Sequence, residues 1–133
     1  MVIMDKIFDG FYKNKKILIT GHTGFKGSWL CQLLNQLGAD VYGYALPPKT
    51  TPNLYNEARI NKIVTSFNGD IRDFEKLKVV LNQIQPEIII HMAAQAMVME
   101  SYKNPRETFE INVMGTVNML DAARTTKSVK AII

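Results

Sequence analysis

A short β-branched run, Lys16-Ile17-Leu18-Ile19-Thr20, stops at Gly21, and two further glycines follow at equal spacing, Gly24 and Gly27. Beyond them Leu30, Leu33, Leu34 and Leu37 recur at helical spacing up to Gly38, a natural C-terminal stop. A strand therefore feeds a helix through a glycine-rich turn. Each glycine has a mechanical reason in such a turn. Gly21 permits the tight bend, Gly24 lets backbone N–H groups come close to a ligand, and Gly27 lets the helix pack on the strand. The helix N-terminus adds its dipole and unpaired N–H donors, a combination that suits the pyrophosphate of a dinucleotide.

The rest of the chain repeats the alternation. Asp40 to Ala45 reads as a second strand, and Leu46 to Pro52 as an excursion loop in which Pro47, Pro48 and Pro52 forbid a regular element. A short helix is expected near Asn53 to Arg59, and a third strand over Ile63 to Phe67, ending at Asn68-Gly69-Asp70. Asp73 then caps a helix with Phe74, Leu77, Leu81 and Ile84 on one face, closed by Pro86. Glu87 to His91 is a fourth strand whose consecutive apolar residues suit a parallel strand covered on both faces. A long helix is predicted from Pro105, a first-turn proline, to Arg124, and Ser128 to Ile133 begins a fifth strand. The pattern predicts an α/β, Rossmann-type doubly wound parallel sheet of order 3-2-1-4-5 with helices on both faces. All of residues 1–133 belong to this one NAD(P)-binding domain, as its N-terminal part. A chain truncated before the last strands and the substrate domain is expected, because it stops inside an apolar strand.

Composition narrows the function classes. Sixteen Lys and Arg against twelve Asp and Glu give a net charge of +4, but the basic residues are scattered, the densest group being Lys13, Lys15 and Lys16. No basic stripe with interleaved aromatics marks a nucleic-acid surface. The single cysteine, Cys31, excludes an internal disulfide and reads as a packed thiol, and no metal site is expected. Asp5, Lys6 and Asp9 interrupt the N-terminal stretch, so neither a signal-peptide core nor a membrane span is read there, and the default location is cytoplasmic.

The binding residues follow from the turn and from the strand ends, where such sheets meet their cofactor. In the turn they are Gly21, His22, Thr23, Gly24, Phe25, Lys26 and Gly27. Lys26 adds charge near the phosphates, and His22 and Thr23 offer hydrogen bonds to the cofactor through side chain or backbone; His22 reads equally as an exposed loop residue. After the third strand, Asp70 offers a carboxylate to an adenine amino group and Ile71 an aliphatic surface to the ring. After the fourth, Ala93, Ala94 and Gln95 let the backbone lie close to the ribose and nicotinamide. The acidic residue expected at the end of the second strand is absent, Ala45 and Leu46 standing there, and no arginine replaces it. NAD is preferred, and NADP is not excluded.

With these residues in place, the chain resembles the extended short-chain dehydrogenases/reductases, the NAD-dependent epimerase/dehydratase family, and within them the CDP-glucose 4,6-dehydratase branch. The string Gly21-His22-Thr23-Gly24-Phe25-Lys26-Gly27-Ser28-Trp29-Leu30 is distinctive of that branch. Supporting it are Tyr42 to Leu46, Gly69-Asp70-Ile71-Arg72-Asp73, His91-Met92-Ala93-Ala94-Gln95 and Asn112-Val113-Met114-Gly115-Thr116. The resemblance implies NAD binding by the residues above and a supporting role for Asn112 in the active-site hydrogen-bond network. It implies that Ser101 and Tyr102 face the sugar nucleotide, although Met99 stands where the branch often has arginine. It further implies a homo-oligomer in nucleotide-sugar metabolism and lipopolysaccharide O-antigen biosynthesis.

The implied reaction is a hydro-lyase conversion of CDP-glucose to CDP-4-keto-6-deoxyglucose and water. It calls for a Tyr-x-x-x-Lys pair and an acid/base pair for the elimination. Neither is present: Tyr12 has Lys16 at the right spacing, but before the first strand. The chain alone is expected to be inactive, with no catalytic residue of its own. Two alternatives stand beside this reading, another sugar-nucleotide dehydratase or epimerase and a non-catalytic dinucleotide-binding module.

Overall fold

The computed structural model describes residues 4–133, so Met1, Val2 and Ile3 of the N-terminal stretch lie outside the described residues. Five parallel strands form one sheet in the order β3-β2-β1-β4-β5. They are β1 (Lys16–Thr20), β2 (Asp40–Ala45), β3 (Thr65–Asn68), β4 (Ile88–His91) and β5 (Ala131–Ile132). The predicted order and direction of the strands are those observed. β1 is central because it is apolar on both faces: Ile17 and Ile19 pack on one side with Cys31, Leu34 and Val41, and Leu18 packs on the other with Leu77, Leu81 and Met119. Alternating side chains thus feed two cores, each roofed by helices.

Helix α1 (Phe25–Gln36) covers the first core and α3 (Phe74–Ile84) the second. Asp73 caps α3 as expected, its side chain accepting the Lys76 N–H at 3.0 Å. On α1 the leucine pattern holds for Leu30, Leu34 and Leu37 and fails at Leu33. The face toward the sheet is Gly27, Ser28, Cys31 and Leu34, while Leu33 turns outward with Phe25 and Trp29. The cause is Gly27, which brings its own face of the helix down onto the glycine turn and so fixes the helix rotation.

The proline loop leads into the short helix α2 (Leu54–Glu57), capped by Asn53, whose side chain accepts the Asn56 N–H at 2.9 Å. After β4 comes a helix without a sequence expectation, α4 (Val98–Lys103). The predicted run from Pro105 to Arg124 is helical throughout but not uniform. It comprises α5 (Pro105–Phe109), a π-turn (Glu110–Met114) and α6 (Gly115–Arg124). In the π-turn the Gly115 N–H reaches back to the Glu110 carbonyl, a local widening of the helix.

Candidate dinucleotide site

The C-terminal ends of β1, β2 and β4 open onto a cleft of about 870 Å³, a size suited to a small-molecule cofactor. Its floor is the glycine turn. Gly21 has φ +73°, and a Cβ there would stand 2.9 Å from the Ala93 nitrogen, so the ends of β1 and β4 touch only because this residue is glycine. A Cβ on Gly27 would overlap the carbonyl oxygen of Gly21. Gly24 differs: its backbone is extended (φ −75°, ψ 170°), and the nearest atom to a Cβ would be the Gly21 oxygen at 3.3 Å. A small side chain at Gly24 would fit tightly, the Gly21 carbonyl giving by a few tenths of an ångström. The bare backbone there faces the cleft, and no side chain caps the first turn of α1. The orphan N–H groups of that turn are free to meet an anion, with the helix dipole behind them.

Of the residues expected in the turn, Gly21, Thr23, Gly24, Phe25, Lys26 and Gly27 line the cleft. His22 does not. Its ring is fully buried, pointing away toward β2 and β3, where Nε2 is 2.6 Å from the Ser66 hydroxyl. It fills the space that a side chain on Gly43 would occupy and meets Tyr55 edge to face. Both the exposed-loop reading and the reading of this side chain as a cofactor contact are therefore corrected. Burial pushes the imidazole down to about 4 and keeps it neutral. Thr23 lines the cleft, but its hydroxyl donates to the Leu46 carbonyl at 2.8 Å, tying the turn to the proline loop. That loop forms the outer wall, from Ala45 to Pro52 with Asn53, Leu54 and Glu57 behind it, a role not visible in its proline content.

Asp70 and Ile71 line the cleft. The Asp70 carboxylate already accepts from Arg72, at 2.9 Å from its backbone N–H and 2.7 Å from Nη2, and the guanidinium holds the acid below its ordinary range. Glu107 approaches the same guanidinium at 3.4 Å. Ile71 is mostly buried against Gly115, where a Cβ would crowd its side chain, so it offers the cleft only an edge.

Ala93, Ala94 and Gln95 form the inner wall. Asn112, on the π-turn, grips this segment twice: its Oδ1 accepts the Gln95 N–H at 2.8 Å and its Nδ2 donates to the Gln95 carbonyl at 3.0 Å. The Gln95 side chain is held as well, its Nε2 donating to Thr108 at 3.0 Å. Ser101 and Tyr102 sit on α4 outside the cleft. The Ser101 hydroxyl bonds to Val98 and the Tyr102 side chain is 81% exposed. Tyr44 is the one cleft-lining tyrosine among the described residues. Its hydroxyl donates to the Asp70 carbonyl at 2.9 Å, and burial with two nearby aspartates pushes it up to about 12. Tyr12 packs with the core at the other end of β1, where Lys16 Nζ donates to the Ile84 carbonyl. Cys31 is buried, its thiol pushed up to about 12, as a packed and inert group should be. Among the described residues no cluster of His, Cys, Asp and Glu is suited to a metal, and no helix is long and apolar enough to cross a membrane.

A family model described as GDP-mannose 4,6 dehydratase matches residues 18–133. CDP-glucose 4,6-dehydratase of Salmonella typhimurium is 48% identical over 92% of this chain and 34% of its own length. GDP-mannose 4,6-dehydratase of Yersinia enterocolitica is 33% identical over 83% of this chain and 31% of its length. The chain thus spans about a third of these curated relatives. UDP-glucose 4-epimerase from Brucella ovis, solved in complex with NAD, superposes with a TM-score of 0.75 at 29% identity, over 88% of this chain and 35% of that one. The Thermus thermophilus UDP-glucose 4-epimerase, also with NAD, gives 0.75 at 30% identity, over 87% and 36%. With its parallel sheet, glycine turn and strand-end cleft in the same chain segment, this protein belongs to the GDP-mannose 4,6 dehydratase family.

Proposed function

We propose that residues 1–133 are the dinucleotide-binding part of an NAD-dependent sugar-nucleotide 4,6-dehydratase, with CDP-glucose as the substrate of the whole enzyme. The observation that carries the cofactor reading is the cradle at Gly24, where bare backbone and the uncapped first turn of α1 face the cleft. The turn from Gly21 to Gly27, without the His22 side chain, holds the pyrophosphate, and Lys26 adds charge. Asp70 and the edge of Ile71 receive the adenine end, and the segment held by Asn112 receives the nicotinamide end. When bound, the nicotinamide supplies a hydride acceptor. The residues of this chain bind it, orient it and shield it. The CDP-glucose assignment is supported by the identity with the Salmonella typhimurium enzyme. From it follow the proposals of a cytoplasmic, homo-oligomeric lyase in surface-polysaccharide synthesis.

The chain alone is proposed to be catalytically silent. Tyr44 cannot act as the base, since its proton is engaged by the Asp70 carbonyl and its acidity is suppressed. Calorimetric titration with NAD, NADP and CDP-glucose separates the readings. Binding of NAD without turnover supports this one, and the absence of NAD binding by folded chain overturns it. Reading the coding sequence beyond Ile133 for Ser/Thr-Asp-Lys and Tyr-x-x-x-Lys motifs tests the dehydratase assignment.

A further inference from the structure

The cleft's inner wall is tied to the sheet by a line of hydrogen bonds whose proton positions can be deduced. Thr20 and His91 are register partners at the ends of β1 and β4. The Thr20 hydroxyl lies 3.0 Å from the Met92 N–H, which it shares with the Thr20 carbonyl, and 3.0 Å from the Ala93 N–H. It is also 2.7 Å from His91 Nδ1. A hydroxyl has one proton and two lone pairs. With both amides directed at this oxygen, the arrangement that satisfies every donor sends its proton to His91 Nδ1. That nitrogen is then bare, and a neutral ring carries its proton on Nε2. Nε2 is 3.2 Å from the Thr116 hydroxyl, which in turn donates to the Asn112 carbonyl at 2.7 Å. Every donor in this series has an acceptor, and all the bonds run in one direction, an arrangement in which neighbours polarise one another.

We infer that His91, as the neutral Nε2–H tautomer, and Thr116 are positioning residues that lock the π-turn to the end of β1 and so fix where Asn112 holds Gln95. The inference deepens the dinucleotide reading, since the locked segment is the proposed nicotinamide wall. Two features make the lock specific. Asn112 gives its side chain to Gln95 and its carbonyl to Thr116, so any shift of the π-turn disturbs both. A proton on Nδ1 would face the Thr20 oxygen, whose lone pairs already serve the two amides. Desolvation of the part-buried ring also favours the neutral form.

Two measurements on the full chain test this. Long-range proton–nitrogen NMR correlations of the imidazoles at neutral pH are expected to show His91 protonated on Nε2 alone; an Nδ1–H tautomer or an imidazolium overturns the inference. Thr116→Val removes the hydroxyl with little change of shape. It is expected to raise the exchange rate of the Gln95 amide and weaken NAD binding by about fivefold or more, since two neutral hydrogen bonds are lost, while Thr116→Ser restores both. Unchanged Gln95 exchange in Thr116→Val overturns the lock. If the wild-type chain binds no NAD, the cofactor reading fails, and the tautomer and exchange results still decide the lock.

Discussion

Gly27 lies so close to the carbonyl of Gly21 that a single added carbon would collide with it, whereas at Gly24, between them in sequence, an added carbon would stand 3.3 Å from that same oxygen, a tight contact that a shift of a few tenths of an ångström relieves. Neighbouring glycines of one motif thus answer to different constraints, one internal and one external. Gly27→Ala is expected to destabilise the fold by ~1–3 kcal/mol through overpacking against backbone. Gly24→Val is expected to leave the circular dichroism unchanged and to cost about 1 kcal/mol or less. Urea denaturation of both variants checks the ordering; equal losses would show that Gly24 is also held by the fold.

The buried His22 makes stability depend on pH. Its folded value of about 4 lies below its ordinary 6.5, so between these values the unfolded chain binds the proton more readily. The stabilisation is complete above 6.5 and declines as pH falls toward about 4, by up to ~3 kcal/mol. His91, lowered in the same direction, adds to the slope. Urea midpoints should fall between pH 7 and 5, and the His22 ring signals should stay flat over that range. A His22 titration near 6.5 would contradict its placement.

The two leucines that the helical pattern treats alike are predicted to differ. Leu77 on α3 is fully buried, while Leu33 on α1 is 45% exposed. Leu77→Ala should cost ~2–5 kcal/mol by loss of contacts and cavity formation. Leu33→Ala should fall within about 0.5 kcal/mol of wild type. Thermal denaturation decides between this and the symmetric outcome that sequence spacing alone suggests.

The contrast between Leu33 and Leu77 marks where sequence reasoning carries and where it stops. The sheet order was legible because β1 and β4 are short, doubly apolar and separated by helical patterns, and Asp73 and Pro105 carry their own local chemistry. The cleft floor was legible because three glycines sit at fixed spacing after a strand. His22 was not, because its direction depends on the missing side chain of Gly43, a strand away. The Thr20, His91 and Thr116 line depends on strand register and on a π-turn, neither of which leaves a local pattern. Ser101 and Tyr102 came only from resemblance, as residues facing the sugar nucleotide, and neither lines the dinucleotide cleft.

Incubation of the chain with NAD and CDP-glucose is expected to yield no 4-keto-6-deoxy product. Without a positioned base the hydride step loses about a hundredfold to ten-thousandfold, and Tyr44 is bound and too weak an acid to replace one. Chromatographic detection of product above a no-protein control would refute this.

The central claim is that bare backbone at Gly24 and the first turn of α1 receive a dinucleotide. Isothermal titration of the folded chain with NAD tests it most directly, with Gly24→Val as the paired control. Saturable one-to-one binding that disappears in folded Gly24→Val is the predicted result. A folded wild-type chain that takes up no NAD, or a Gly24→Val variant that binds it equally well, would contradict the account.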